Sequence, residues 1–133
     1  MNITVISVGK IKEKYFTAAI DEYSKRLSRF AKLNIIEVAD EKIPDNASEK
    51  EMEQIKEKEG NKILAKLPQN SFVVTLCIEG KEYSSEELAK KIADISMTSS
   101  HITFIIGGSL GLSDTVKSKS ALRLSFGKMT LPH

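Results

Sequence analysis

Cysteine is almost missing from this sequence, and tryptophan is missing altogether. Cys77 is the single cysteine among 133 residues. One thiol cannot form a disulfide within the chain, so the stability of the fold has to come from a packed core. The same scarcity agrees with a reducing compartment, and we expect a cytoplasmic protein.

Long hydrophobic runs are missing too. No apolar segment approaches the roughly 20 residues that a membrane helix needs, and residues 1–9 lack the charged start and cleavage site of a signal peptide. A hydrophobic content of 41% with 29% charged residues is typical of a globular protein. The length predicts a single domain over residues 1–133, and no membrane segment is expected.

The common nucleotide and metal motifs are also absent. Only Gly9 follows the first apolar segment, where a Gly-x-Gly-x-x-Gly motif would stand, and no Gly-x-x-x-x-Gly-Lys-Ser/Thr motif occurs. NAD and ATP sites of the usual kind are therefore disfavoured. His101 and His133 are the only histidines, and neither has the cysteine or carboxylate spacing of a zinc site, so no metal is predicted.

Apolar runs that alternate with helical patterns are present throughout the chain. Alternation of this kind predicts an α/β fold with a mainly parallel sheet flanked by helices. Serine and glutamate three residues apart begin two of the helices, at Ser48 and Ser84. The predicted strands are 3–8, 32–38, 72–78, 102–106 and 122–126, and the predicted helices are 13–30, 48–67, 84–100 and 113–121.

The first two predicted helices differ in their patterns. The first carries one apolar stripe. The second directs Met52, Ile55, Ile63 and Leu64 inward but is otherwise dense in lysine and glutamate, with Gly60 in its interior, so we expect a mobile, exposed helix. The stripe of the first helix consists of Phe16, Ala19, Ile20, Tyr23, Leu27 and Phe30.

Charge is uneven along the chain although the net charge is only +2. Residues 1–32 hold seven basic against three acidic side chains, and residues 101–133 hold four against one. The middle is acidic. The two basic ends could form one face for nucleic acid, but chance asymmetry of solvated faces is an equally good interpretation from charge alone.

Glycine-rich segments follow the last two predicted strands. Residues 107–111 come after the fourth strand, and residues 127–132 come after the fifth. Strands of a parallel sheet end at one edge, where small molecules bind in open α/β folds. A glycine pair alone would favour a plain turn, but two such loops at one edge can form a pocket, with Leu76 as its apolar floor.

Two short motifs carry a resemblance to a known family. They are Gly-Gly-Ser-x-Gly at residues 107–111 and Ser-Phe-x-Lys-Met-Thr-x-Pro-His at residues 125–133. Together they resemble the cofactor loops of the SPOUT-class methyltransferases, and in particular the bacterial family that methylates a pseudouridine of 23S ribosomal RNA. The resemblance runs along the chain from Met1. It implies a SPOUT-type α/β fold with a C-terminal trefoil knot.

The resemblance also implies a site for S-adenosylmethionine. The family holds this cofactor with a leucine on the third strand, the second glycine of the pair and the loop before Pro-His. The family usually has serine or another small residue where Gly127 stands. Without the resemblance, core packing would be the preferred interpretation of Leu76, Met129 and Leu131. The implied cofactor-binding residues are Leu76, Gly108, Gly127, Lys128, Met129, Thr130, Leu131 and Pro132.

The activity implied by the resemblance is methylation of N3 of a pseudouridine in 23S ribosomal RNA, on the ribosome. A homodimer is implied, and methyl transfer needs no metal. The general base stays unknown, because His133 is a candidate but a structural hydrogen bond is the more common role for such a histidine. Charge alone suggests phosphate contacts at Lys10, Lys12, Lys14, Arg26, Arg29 and Arg123.

Two other interpretations stay open. The family pattern continues beyond His133 into a further helix and tail, so the chain could be a truncated member that binds cofactor or RNA without catalysis. A generic α/β nucleotide-binding protein is the second alternative. If the family helix is lacking, we expect apolar surface near the late strands and the dimer face to be uncovered.

Overall fold

A five-stranded sheet organises the chain in the computed structural model, which describes residues 1–132. The strands are all parallel and lie in the order β2-β1-β4-β3-β5, so the α/β prediction is confirmed. The elements are β1 (Asn2–Val8), α1 (Lys14–Leu27), β2 (Lys32–Val38), α2 (Glu49–Lys66), β3 (Phe72–Glu82), α3 (Ser85–Ser96), β4 (His101–Ile106), α4 (Asp114–Ser118) and β5 (Leu122–Ser125).

Helix starts follow the sequence signals closely. Ser48 accepts a hydrogen bond from the Glu51 backbone N–H, and the Glu51 side chain returns to the Ser48 N–H, as a capping box requires. Ser84 and Glu87 form the same arrangement before α3. None of the helices in residues 1–132 is long and apolar enough to cross a membrane.

Two apolar clusters cover the two faces of the sheet, because successive strand residues point to opposite faces. One face packs against α2 and α4, and its cluster includes Ile6, Ile105 and Val116. The other face packs against α3 and includes Val74 and Ile102. The trefoil knot stays a prediction.

The apolar stripe of α1 is not in the core. No residue of α1 is buried, and Tyr23 and Phe30 are 63% and 79% exposed. Ile20 is half-buried, whereas Phe16, Ala19 and Leu27 are exposed. The amphipathic pattern is therefore real, but within residues 1–132 nothing covers this face.

Helix α2 was expected to be exposed, but it packs closely although it is rich in charge. Ile55, Glu59, Gly60 and Ile63 are buried at helical spacing. The glycine permits close contact with α4, because a Cβ at Gly60 would lie 2.6 Å from the Ser113 hydroxyl. The low helix propensity of glycine is thus offset by close packing.

We expect Gly60→Ala to lower the free energy of unfolding by about 1–2 kcal/mol, because overpacking costs more than the gain in helix propensity. The added methyl would displace the Ser113 hydroxyl, which accepts a hydrogen bond from the Val116 N–H at the start of α4. Urea unfolding measures the change. Asn61→Ala, at an exposed position of α2, is the control. A stabilised Gly60→Ala variant would contradict the close approach of α2 to α4.

A bulge interrupts β3 where the sequence predicted its end. Leu76 and Lys81 both pair with Leu124, so the intervening residues 77–80 bow out of the sheet. Close packing restricts Gly80, since a Cβ there would lie 2.8 Å from the backbone of Arg123 and Leu124. The bulge brings side chains of β3 to the carboxyl edge of the sheet.

Candidate functional site

A pocket of about 480 Å³ lies at the carboxyl edge of the sheet. Three segments form it: the loop of residues 107–111 after β4, the bulge of residues 77–80, and the loop of residues 127–132 after β5. Its apolar floor includes Leu76, Ile106 and Leu124. We call it the edge pocket.

The loop of residues 107–111 is a tight turn. Its ends are joined by a hydrogen bond from the Gly111 N–H to the Gly108 carbonyl at 3.0 Å. Gly111 has a positive φ of 83°, which side chains rarely adopt. At Gly107 an added Cβ would lie 2.8 Å from the Gly111 carbonyl carbon, so no side chain fits there while the turn keeps this shape.

Gly108 is closely surrounded by other parts of the protein. An added Cβ would point toward Val8 Cγ1 at 3.1 Å and Glu59 Oε1 at 3.4 Å. A side chain at this position would therefore be crowded by the protein itself. Gly108 still lines the edge pocket with its backbone.

The second loop begins at Gly127, where φ is 122°. This backbone conformation strains any L side chain, so a serine here would be costly in this chain. Ser125 ties the loop to the bulge, because its hydroxyl accepts from the Gly127 N–H and donates to the Ile78 carbonyl, each at 3.0 Å.

The structure brings together seven of the eight residues that the sequence singled out. Lys128 is the exception, because it is exposed and does not line the edge pocket. The seven that line it are Leu76, Gly108, Gly127, Met129, Thr130, Leu131 and Pro132.

A charged wall of the edge pocket was missed by the sequence analysis. The Lys117 Nζ lies 2.5 Å from Glu79 Oε1, and both residues line the pocket. The hydrogen bond from Lys117 lowers the pKa of the Glu79 carboxyl, with smaller backbone and charge contributions. Glu79 is in the bulge and Lys117 is on α4, so only the tertiary fold could reveal the pair.

Cys77 also lines the edge pocket. Its side chain is half-buried, and its nearest hydrogen-bond acceptor is the Thr75 carbonyl at a distant 3.9 Å. The bulge is the cause, since it moves Cys77 out of the regular strand.

We expect S-adenosylhomocysteine to slow alkylation of Cys77 by iodoacetamide, because a ligand in the edge pocket shields the thiol. With ligand at 100 times its dissociation constant, the rate should fall by at least about tenfold. Cys77 is the only cysteine, so intact mass reports the modification directly. Methionine, which lacks the adenosine group and has no free thiol, is the control ligand. An unchanged rate at saturating ligand would place the cofactor elsewhere.

The basic side chains that the sequence grouped together lie at two edges of the sheet. Lys10, Lys12 and Lys14 follow β1 and are exposed at the carboxyl edge, as is the edge pocket. Arg26 and Arg29 come at the end of α1, next to the start of β2 and hence at the amino edge. Arg26 is also paired with Glu22 at 3.0 Å. Arg123 is exposed on the edge strand β5.

His101 lies away from the edge pocket. His101 begins β4 at the amino edge, where its Nε2 lies 2.7 Å from the Thr4 hydroxyl. His133, the candidate base of the sequence analysis, lies outside the described residues. In the part of the chain that the structure describes, no three His, Cys, Asp or Glu side chains group as metal ligands.

Comparison with known proteins agrees with this parallel sheet and glycine-lined edge. The family described as "Predicted SPOUT methyltransferase" matches residues 1–133. The chain therefore belongs to the SPOUT methyltransferase family.

The names of individual relatives are more specific than the family description. The chain is 62% identical over 134 aligned positions to "Ribosomal RNA large subunit methyltransferase H" of Clostridium botulinum strain Kyoto, covering 100% of this chain and 84% of the relative. A protein of the same name from Clostridioides difficile is 58% identical over the same shares. "Putative ribosomal RNA large subunit methyltransferase H" of Methanococcus maripaludis is 62% identical, again with 84% of its length covered.

Proposed function

We propose that this protein transfers a methyl group from S-adenosylmethionine to N3 of a pseudouridine in large-subunit ribosomal RNA. The observation that carries the proposal is the edge pocket, formed by two glycine loops that also carry the family resemblance. The names of relatives 58–62% identical to the chain support the ribosomal substrate. Transfer of labelled methyl to ribosomes that lack the modification tests the proposal.

The edge pocket suits S-adenosylmethionine in size and chemistry. About 480 Å³ is within the usual range for a small-molecule site. Apolar Leu76 and Leu124 can pack against the adenine ring, while backbone groups of residues 107–111 and 127–132 can bind its edge. Lys117 and Glu79 offer charges for the polar parts of the cofactor. When bound, the cofactor supplies an activated methyl group, and the residues around it position that group and exclude water.

The carboxyl edge is the face that we assign to ribosomal RNA. Lys10, Lys12 and Lys14 are exposed at the edge that also contains the edge pocket. Lysines at this location can bind phosphates and hold a nucleotide near the cofactor. The earlier candidates Arg26 and Arg29 lie at the opposite edge, so we give them no direct part in one protomer's site.

We also propose that the protein is a homodimer, in which the apolar face of α1 is covered by a second copy. Phe16, Tyr23, Leu27 and Phe30 leave an unbroken apolar stripe exposed, and large exposed stripes mark association surfaces. In this proposal residues 1–133 form one domain, and the protein acts in the cytoplasm.

Sedimentation tests the dimer directly. We expect the mass of a dimer for the unchanged protein and of a monomer for Tyr23→Glu combined with Leu27→Glu, because two charges would have to be buried. Ala18→Glu, on the opposite side of α1, is the matched control and should stay dimeric. A monomeric unchanged protein would contradict this assignment.

A further inference from the structure

The edge pocket has its charges in one part of its wall. Among the described residues that line it, only Lys56, Glu79 and Lys117 are charged. Lys56 lies on α2 and Lys117 on α4, two helices that pack against each other and cover the same face of the sheet. Glu79 is in the bulge of β3 and contacts Lys117. The remaining lining is apolar or uncharged, so the pocket has one charged side and one neutral side.

The ion pair on the charged side has hydrogen-bonding capacity left over. Its contact joins the Lys117 Nζ to Glu79 Oε1 at 2.5 Å. An ammonium group has three N–H donors, and a carboxylate has about four acceptor sites. The Glu79 side chain is 52% exposed, and ion pairs this exposed contribute little to stability. A ligand can therefore share both groups at little cost.

S-adenosylmethionine has the same division into a neutral part and a charged part. Its adenine ring is flat and neutral, and the apolar floor with Leu76 and Leu124 suits it. Its amino-acid end carries one carboxylate and one ammonium group, which need a donor and an acceptor close together. Two lysines alone would suit a phosphate equally well, but the Glu79 carboxylate repels phosphate and attracts ammonium. The charged side therefore fits an amino-acid end better than a nucleotide phosphate.

We propose that Lys117 and Glu79 bind the amino-acid end of S-adenosylmethionine, with Lys117 donating to its carboxylate and Glu79 accepting from its ammonium group. Lys56 adds a second positive charge to this side of the pocket, although it also contacts Glu53 at 2.7 Å. The two contacts orient the cofactor, because they direct its adenine to the neutral side. They also select the methyl donor over adenine nucleotides. The inference rests on the proposed function and deepens it.

Lys117→Met tests the carboxylate contact, because methionine keeps an apolar stem of similar length and removes the charge. Affinity for S-adenosylhomocysteine, measured by isothermal titration calorimetry, should fall about 10- to 100-fold, the usual effect of losing a hydrogen bond between charged groups. Methylthioadenosine lacks the amino-acid chain, so its affinity should be unchanged. Lys117→Arg keeps the charge and should retain most of the affinity for S-adenosylhomocysteine.

Glu79→Gln tests the ammonium contact, and it carries the test if Lys117→Met does not fold. It should weaken binding of S-adenosylhomocysteine and again leave methylthioadenosine unaffected. A decarboxylated analogue of S-adenosylhomocysteine separates the two roles, since it keeps only the ammonium group. Glu79→Gln should weaken binding of this analogue, whereas Lys117→Met should not.

Lys119→Met is the matched control, because Lys119 is exposed two residues further on and does not line the edge pocket. It should bind every ligand as the unchanged protein does. Full affinity of Lys117→Met and Glu79→Gln for S-adenosylhomocysteine would overturn the subsite, and so would an equal loss for methylthioadenosine. Either result, with an unchanged protein that methylates ribosomal RNA, overturns the subsite alone. If the unchanged protein binds no S-adenosylhomocysteine, the proposed function fails and the subsite with it.

Discussion

Gly107→Ala should weaken binding of S-adenosylhomocysteine by about 5- to 150-fold, since overpacking of this kind costs about 1–3 kcal/mol. The added Cβ would lie 2.8 Å from the Gly111 carbonyl carbon and 3.0 Å from its oxygen. Backbone atoms at the end of a tight turn cannot move aside as a flexible side chain can. The loop of residues 107–111 must therefore open, and the pocket wall that it forms is displaced. Isothermal titration calorimetry measures the loss.

Ser100→Ala is the control for this prediction, because Ser100 is exposed and precedes β4, at the end of that strand away from the edge pocket. Its affinity should stay close to that of the unchanged protein. Circular dichroism should show an intact fold in both variants, since the glycine loop lies outside the two apolar clusters. Only Leu112, the residue after the loop, belongs to one of them. Unchanged binding by Gly107→Ala would mean that the glycine loop does not shape the cofactor site.

Lys10→Glu combined with Lys12→Glu should reduce binding to ribosomes strongly while cofactor affinity is retained. Each lysine that contacts a phosphate releases counterions when the RNA binds. Loss of two contacts should therefore make the fall of log affinity with log salt less steep, by about two units of slope. Reversed charges would also repel the RNA. Co-sedimentation with ribosomes at several salt concentrations measures both effects.

Charge reversal at Arg26 and Arg29 is the comparison for the charge reversal at Lys10 and Lys12. Both residues are basic and exposed, but they lie at the amino edge of the sheet and Arg26 is already paired with Glu22. We expect a smaller effect on the salt slope than at Lys10 and Lys12. Equal effects at both edges would mean that overall charge, and not the carboxyl edge, determines binding to RNA.

The sheet and its edge could be predicted because local patterns determine them. Residues 102–106 are apolar apart from Thr103 and form the central strand β4, which is covered on both faces. The capping boxes at Ser48 and Ser84 locate two helix starts within one residue. The glycine loops follow their strands, so their order in the chain places both loops at one edge, whereas the individual candidate residues came from the family resemblance, and seven of the eight line the edge pocket.

What the sequence did not predict depends on contacts between distant segments. The bulge at residues 77–80 depends on pairing with β5, and it places Glu79 beside Lys117. The amphipathic pattern of α1 indicates an apolar face correctly but cannot say what covers it. The inward positions Ile55 and Ile63 of α2 were predicted correctly. The close packing of the helix was missed because Gly60 was counted as a weakness, whereas it is the contact point with α4.

The central claim is that the edge pocket holds the methyl donor for a ribosomal RNA base. The most direct measurement incubates the protein with ribosomes that lack the modification and S-adenosylmethionine carrying a labelled methyl group, then locates the label by nuclease digestion and mass spectrometry. The account predicts one labelled pseudouridine in large-subunit RNA, with the methyl group at N3, and slower labelling with Gly107→Ala when S-adenosylmethionine is not saturating. Tight binding of S-adenosylmethionine without any transfer to RNA, or label on another class of molecule, would contradict it.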